Sequence, residues 1–315
     1  MNNTQDNSYP NRIAVLLPCY NEGLSIRQVV KNFCDSLPDA TIYVYDNNST
    51  DNTVEEARRA GAVVRTERWP GKGNVVRRMF SDVEADVYVM ADGDGTYDAS
   101  KSPEMVRRLL DEHLDMVVGT RKNVYENAHR QYHGAGNRLF NKLYRTLFGP
   151  SFNDIFSGYR VFSRRFVKSF PAVSSGFEIE TEMSVHASQL RLPVAEIATD
   201  YGSRAEGSVS KLRTVRDAMR ILVTLLILYK EIRPARFFGL LATALSVMAV
   251  VLVMPLILTY LETGLVPRFP TAILVTGMVL LSAIFLVCGL ILDSVARGRL
   301  EQKRLWYMAV SGKRK

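Results

Sequence analysis

Along residues 1–210, short β-branched and apolar runs alternate with longer stretches whose apolar positions recur at helical spacing. The pattern predicts strands over residues 13–17, 40–45, 62–66, 87–91, 116–119 and 194–199. Helices follow the first strand to about residue 37, the second to residue 60, with Asp51 as its cap, and the third over residues 71–82. Residues 137–147 place apolar side chains at 139, 140, 143, 144 and 147, the spacing of a half-buried helix, and residues 176–182 open another. Such regular alternation predicts an α/β fold, a mainly parallel sheet with helices on both faces. Polar or acidic clusters recur where the strands end, the edge at which open α/β sheets bind ligands.

Beyond Lys211 the pattern changes. Leu212, Val215, Met219, Leu222 and Leu226 share one helical face, and Arg213, Arg216 and Arg220 share another about 115° away by the 3.6-residue period. A helix of this kind suits the headgroup boundary of a bilayer. Residues 237–261 then carry no charge over 25 positions and residues 271–292 none over 22. Each run exceeds the roughly 20 residues needed to cross the hydrocarbon core. Four segments are therefore expected: a domain over 1–210, an amphipathic helix over 211–236, a two-helix anchor over 237–292 and a basic tail over 293–315.

Charge sharpens this division. The net charge is +8, but residues 211–315 hold 15 Lys and Arg against 5 acids, leaving 25 against 27 in residues 1–210. A basic excess confined to the last third points to a membrane surface rather than to nucleic acid. Lys230, Arg233 and Arg236 precede the first apolar run, and Arg297, Arg299, Lys303 and Arg304 follow the second. The positive-inside rule then places both ends and the large domain in the cytoplasm. The polar N-terminus has no apolar core of a secretory signal, and Cys19, Cys34 and Cys288 form neither a disulfide framework nor a zinc spacing.

The chemistry concentrates at Asp92 and Asp94, which follow the run at 87–91 and are separated by Gly93. Two hard oxygen ligands at a strand end suit Mg²⁺ or Mn²⁺, which keeps waters and bridges to substrate phosphates. Gly71-Lys72-Gly73 lacks the upstream glycine and the following Ser or Thr of a P-loop, which argues against a nucleotide-hydrolysing P-loop protein.

Pro18-Cys19-Tyr20-Asn21-Glu22, Asp46-Asn47-Asn48-Ser49-Thr50-Asp51, Gly71-Lys72-Gly73 and Asp92-Gly93-Asp94 together resemble, in order and spacing, the inverting family 2 glycosyltransferases of GT-A fold. Asp154-x-x-Ser157-Gly158-x-Arg160, Arg204-x-x-Gly207-x-x-Ser210-Lys211 and the two apolar runs extend the resemblance to polyprenyl-phosphate glycosyltransferases, relatives of dolichol-phosphate mannose synthase. The resemblance implies metal-dependent, inverting transfer of a sugar from a UDP- or GDP-sugar to an undecaprenyl or dolichyl phosphate. It implies a homo-oligomer working at the cytoplasmic face of a bacterial plasma membrane.

Residue by residue, the resemblance implies Pro18, Tyr20, Glu22, Asp46 and Asn48 around the nucleotide, with Asp46 accepting hydrogen bonds from the base. Lys72 lies near the diphosphate, supported by the amides of a helix start. Asp92 and Asp94 hold the divalent ion, and Arg121, Asn137, Arg160, Arg204, Ser210 and Lys211 receive the acceptor phosphate. Asp154 lies near the reaction centre, positioning more than abstracting a proton, because a phosphate monoester with a second pKa near 6 attacks as a dianion. Glu178, Glu180 and Glu182 could supply a base to a hydroxyl acceptor, or simply place charge at a helix N-terminus. Asn47 and Asn48, Thr96 and His133 depart from the residues common among the relatives. Two other functions fit the same features: transfer to a hydroxyl of a lipid-linked or polymeric glycan, and a catalytically silent protein that binds sugar nucleotides during assembly.

Overall fold

The computed structural model describes residues 12–121, 141–149, 152–202 and 214–311. Seven strands form one sheet in the order β3-β2-β1-β4-β6-β5-β7. β1 (Ile13–Cys19), β2 (Thr41–Asp46), β3 (Val63–Thr66) and β4 (Val87–Met90) run parallel, as do β5 (Met116–Arg121) and β7 (Val194–Thr199). The strands expected from the sequence are all present. β6 (Arg160–Ser163) was not expected, and it lies antiparallel between β4 and β5, with Val161 facing Val89 on one side and Val117 on the other. Its four residues begin with an arginine, so no apolar run announces it. Because β6 reverses direction twice over, β5 points the same way as β1, β2 and β4, and their carboxyl ends share one edge.

Every residue of β4 is buried, as a central strand covered on both faces requires. One face packs Val15, Leu17, Val44, Val89 and Val161 against Ile26, Val30 and Phe33 of α1 (Ile26–Ser36). Met105 and Leu109 of α4 (Ser102–Asp111) join that core. The sequence pattern does not predict this helix, although it carries Pro in its first turn and apolar residues at helical spacing. α2 (Thr53–Arg59) and α3 (Lys72–Asp82) start close to their expected positions, and residues 141–148 are helical with Tyr144 buried.

An aromatic chain fills the other side. Phe80 of α3 meets Phe162 of β6 at 5.7 Å between ring centroids, Phe162 stacks on Phe166 at 4.8 Å, and Phe166 on Phe170 at 5.7 Å. Phe166 belongs to α5 (Arg164–Ser169). α6 (Ile179–Leu190) is buried continuously from Ile179 to Ala187, which places its glutamates inside the domain.

After α7 (Thr214–Ile232) come α8 (Pro234–Thr263) and α9 (Phe269–Ala309), each long and apolar enough to cross a membrane. Beyond Pro234 at its start, α8 buries Ala242, Ala249 and Leu256, and α9 buries Val275, Ser282 and Gly289, in each case seven residues apart. The Ser246 and Ser282 hydroxyls lie 2.8 Å apart, and Ser282 Oγ donates to the Ala242 carbonyl at 2.9 Å. Small residues of this kind let apolar helices approach closely. α9 runs unbroken through residue 293, so the second apolar run and the first part of the expected tail are one helix.

The chain forms two compact units, Met1–Ile221 with Lys303–Lys315, and Leu222–Gln302. The end of α9 thus belongs to the first unit. There Tyr307 Oη donates to the fully buried Asp115 at 2.6 Å, the Arg165 guanidinium lies 5.3 Å from the Tyr307 ring centre, and Lys303 Nζ donates to Gln189 Oε1 at 3.0 Å.

His186 of α6 is only 2% exposed and lies edge-on to Phe166 and Phe170, with neither ring nitrogen hydrogen-bonded among the described residues. Burial, helped by the Lys303 charge, pushes the imidazole down to about 3. The unfolded chain takes up a proton near the ordinary value of about 6.5 while the folded chain does not, so stability falls as pH drops from there toward 3. Lowering pH from 7.5 to 5 should therefore cost the wild type about 2 kcal/mol more than a His186→Phe variant, measured by denaturant unfolding at both pH values.

Candidate active site

The loops after β1 and β2 are stitched together by their own polar groups. The Asn21 amide donates to Ser49 Oγ at 2.8 Å, the Thr50 amide to Asn21 Oδ1 at 2.8 Å, and the Gly23 amide to Asp51 Oδ2 at 2.9 Å. Glu22 is buried, with its amide on Thr53 Oγ1, and Asp51 closes the start of α2 by accepting from the Thr53 amide. Pro18 lies within β1 and Tyr20 is exposed just past it. Asp46, at the end of β2, is 4% exposed: one oxygen accepts from the Ser49 amide, and Oδ1 is buried with no hydrogen-bond partner among the described residues. A buried acceptor left over in this way is ready for a donor on a ligand.

Asn47 and Asn48 hold the next loop. Asn47 Nδ2 donates to the carbonyls of Glu67 and Trp69 at 2.9 and 2.8 Å, its Oδ1 accepts from the Gly71 amide at 2.7 Å, and Asn48 Nδ2 donates to the Arg68 carbonyl at 3.0 Å. The two departures from the family pattern thus brace the segment that leads into Lys72.

Gly71 adopts a φ of 120°, and a Cβ at Gly71 or Gly73 would run into the carbonyls of Ser175 and Ser174 respectively. The Gly73 amide donates to the Ser175 carbonyl at 3.0 Å, while those of Asn74 and Val75 turn back to Gly71. This corrects the expectation that the helix start supports a diphosphate with its amides: these three are occupied, and the glycines serve a close approach of two backbones. The Lys72 side chain lies beside this helix start. Its Nζ forms ion pairs with Asp92 Oδ1 and, at 2.5 Å, with Glu180 Oε1. Burial works against the ammonium, but Asp92 and Glu180 outweigh it and raise the lysine above its ordinary range, so it is charged.

Asp92 and Asp94 take different environments. A Cβ on Gly158 would sit 3.0 and 3.1 Å from the two Asp92 oxygens and 3.1 Å from Lys72 Nζ, so the bare backbone of Gly158 floors that pair. Asp94 is buried, and its Oδ1 accepts from the Thr96 amide at 3.1 Å and the Thr96 hydroxyl at 2.6 Å. Thr96, another departure from the relatives, is the brace of the second aspartate. Among the described residues no cluster of three or more His, Cys, Asp or Glu side chains could cage a metal. A part-exposed and a buried carboxylate after the same strand fit instead a hard divalent ion that completes its shell from substrate oxygens and water.

Arg121, the last residue of β5, makes a two-pronged pair with Asp154, Nε and one Nη each at 2.8 Å, and lies 5.5 Å from the Tyr201 ring centre. Asp154 also accepts from the Arg121 and Phe156 amides. Burial pushes this carboxyl up, but the Arg121 charge and these hydrogen bonds hold it below the ordinary carboxylate range. Tyr97 joins the two clusters. Its hydroxyl accepts from the Gly158 amide at 2.8 Å, and it is pushed up by burial and by Asp92, with Arg121 and Lys72 acting in the opposite sense. The sequence reading missed Tyr97 and Tyr201, though Tyr97 stands three residues beyond Asp94.

The three glutamates divide. Glu182 accepts from the Val173 and Ser174 amides at 3.0 and 2.8 Å, Glu178 accepts from the Gly176 amide at 3.3 Å, and only Glu180 meets Lys72. Arg160 is corrected. It is fully buried in β6 and donates to the carbonyls of Ser157 and Ile155 at 2.8 and 3.0 Å and to Ser184 Oγ at 3.0 Å, so it clamps the 155–157 turn and is closed to an acceptor phosphate. Asn137, Arg204, Ser210, Lys211 and His133 lie outside the described residues.

Residues 14–170 match the family model described as Glycosyl transferase family 2. Glycosyltransferase AglJ of Haloferax volcanii is 35% identical over 232 residues, 73% of this chain and 76% of that protein. Protein RfbJ of Shigella flexneri is 55% identical over 123 residues, 38% of this chain and 95% of RfbJ. Among solved structures, glucosyl-3-phosphoglycerate synthase from Mycobacterium tuberculosis, in complex with Mn²⁺, UDP and phosphoglyceric acid, shares the fold at a TM-score of 0.57 and 23% identity, covering 70% of this chain and 79% of that one. Fold, site and relatives define a glycosyltransferase of GT-A type. The chain belongs to glycosyl transferase family 2.

If Arg160 is a clamp, Arg160→Met should act on stability. Leaving its buried carbonyl partners unsatisfied should cost about 3 kcal/mol or more in unfolding free energy, whereas binding of a phosphate acceptor by the protein that remains folded should be unchanged.

Proposed function

We propose that this protein transfers a sugar from a UDP- or GDP-sugar to a polyprenyl monophosphate, undecaprenyl or dolichyl, at the cytoplasmic membrane face. The observation that carries the reading is the commitment of the acids around the buried cations. Asp154 is spent on Arg121 and on two amides, Glu182 on the 173–174 amides, and Glu180 pairs through one oxygen with Lys72. A hydroxyl acceptor needs a group to take its proton, whereas a phosphate dianion needs cations to guide it and no base. The two helices long and apolar enough to cross a membrane suit an acceptor that resides in one.

Asp46 Oδ1 would receive the nucleotide base, with Glu22 and Tyr20 around it. Lys72 would stand beside the diphosphate and offset the charge that grows as it departs. Asp92 and Asp94 would hold Mg²⁺ or Mn²⁺, in keeping with the Mn²⁺ and UDP named in the neighbouring structure. When bound, the ion supplies Lewis-acid stabilisation of the leaving nucleotide diphosphate. Arg121, kept in place by Asp154 and Tyr201, would present its remaining surface to the acceptor phosphate, together with Asn137, Arg204, Ser210 and Lys211. Inversion follows if the acceptor oxygen attacks the anomeric carbon from the side opposite the diphosphate.

A second reading, transfer to a hydroxyl, is favoured by Glu178 Oε2 and Glu180 Oε2, which are buried without hydrogen-bond partners among the described residues. The deciding experiment incubates detergent-solubilised protein with a panel of UDP- and GDP-sugars, Mg²⁺ or Mn²⁺, and either undecaprenyl phosphate or lipid-linked sugars. The expected outcome is a metal-dependent glycolipid from undecaprenyl phosphate, reduced by about 10²-fold or more in Asp94→Ala. Product from lipid-linked sugars alone, lost in Glu178→Gln, would establish the hydroxyl reading instead.

A further inference from the structure

Lys72 is shared between two carboxylates with different prospects. Asp92 lies at the open sheet edge with its side chain 30% exposed, whereas Glu180 lies on α6 with its side chain 4% exposed. Among the described residues no other cation pairs with Glu180. The flanking glutamates are tied to the amides of residues 173, 174 and 176, so of the three only Glu180 faces the lysine. Gly158 closes the space beneath Lys72 and Asp92, and the 174–175 carbonyls press on the glycines at either side of Lys72. The lysine is therefore confined to a buried position whether or not Asp92 stays with it.

This confinement creates a conflict if Asp92 is to bind a divalent ion. A cation arriving at Asp92 competes with the ammonium already there, and a buried ammonium left without any counterion is strongly disfavoured. We propose that Glu180 is a positioning residue whose task is to keep Lys72 neutralised in place, so that Asp92 is released to the divalent ion. The inference rests on the reading of Asp92 as a metal ligand. Charge follows the same logic. Burial and Asp92 raise the Glu180 carboxyl while Lys72 acts in the opposite sense; with it ionised, Lys72, Asp92, Asp94 and Glu180 together carry two net negative charges, which a divalent ion neutralises. Without Glu180 the lysine and the ion would compete for Asp92.

The test is Mn²⁺ binding, followed by the loss of the free-ion electron paramagnetic resonance signal, on the full chain in detergent with and without UDP. Glu180→Gln keeps shape and removes charge, and it should weaken Mn²⁺ about tenfold or more. Lys72→Met removes the competitor and, without UDP, should bind Mn²⁺ at least as tightly as wild type. Adding Glu180→Gln to Lys72→Met should then change nothing, because Glu180 acts only through the lysine. Equal weakening by Glu180→Gln in both backgrounds would mean a general structural role or direct contact with the ion, and would overturn the proposal. So would unchanged Mn²⁺ binding in Glu180→Gln while Asp92→Asn abolishes it. If wild type and Asp92→Asn bind Mn²⁺ alike in both arms, the metal assignment itself fails and takes the proposal with it.

Discussion

A buried ammonium held by carboxylates from two different elements is the constraint on which this active site is built. Lys72 comes from the start of α3, Asp92 from the turn after β4 and Glu180 from α6, so the ion pair can form only when the sheet edge and both helices are in register. Removing charges from water is costly, and the cost is offset only where the geometry is good on all sides. The surrounding backbone reflects that demand. Glycines at 71, 73 and 158 let chain segments come within contact distance of the pair and of one another, where any side chain would push them apart.

Much of this was legible. The strands whose carboxyl ends carry Asp46, Asp92 and Arg121 read directly as short apolar runs, because parallel strands buried on both faces have little choice of residue. β6 did not, since Arg160 stands at its head and a charged residue inside a sheet breaks the apolar pattern that marks strands. The same arginine looked like a phosphate ligand from its place in a motif. Only three-dimensional structure could reveal that carbonyls of the preceding turn surround it. α4 is a different case, for its first-turn proline and its apolar residues at 105, 106 and 109 were in plain view.

The side-chain roles show the same boundary between local and distant information. That Asp92 and Asp94 matter follows from two acids at a strand end. That Thr96 braces one while Lys72 answers the other does not, because the lysine is brought in by tertiary packing. Glu178, Glu180 and Glu182 are indistinguishable as a row of alternating acids, yet one meets a lysine and the others tie down the loop that precedes their helix. Asn47 and Asn48 looked like losses from a family pattern. In the fold they carry the hydrogen bonds that hold the Glu67–Gly71 loop.

The contact between Tyr307 and Asp115 bears on how this enzyme could be handled as a soluble protein. Asp115 is fully buried beside β5, and its hydroxyl partners are Ser163 and a tyrosine from the far end of the helix that begins as the second apolar run. A water-soluble fragment cut before residue 214 would retain every strand but would expose the seat of Tyr307 and strip a buried carboxylate of one of its two hydroxyl donors. The natural boundary of the catalytic fold is therefore discontinuous in sequence. An excised version would need the 303–311 segment returned to it, either grafted by a linker or added as a separate peptide.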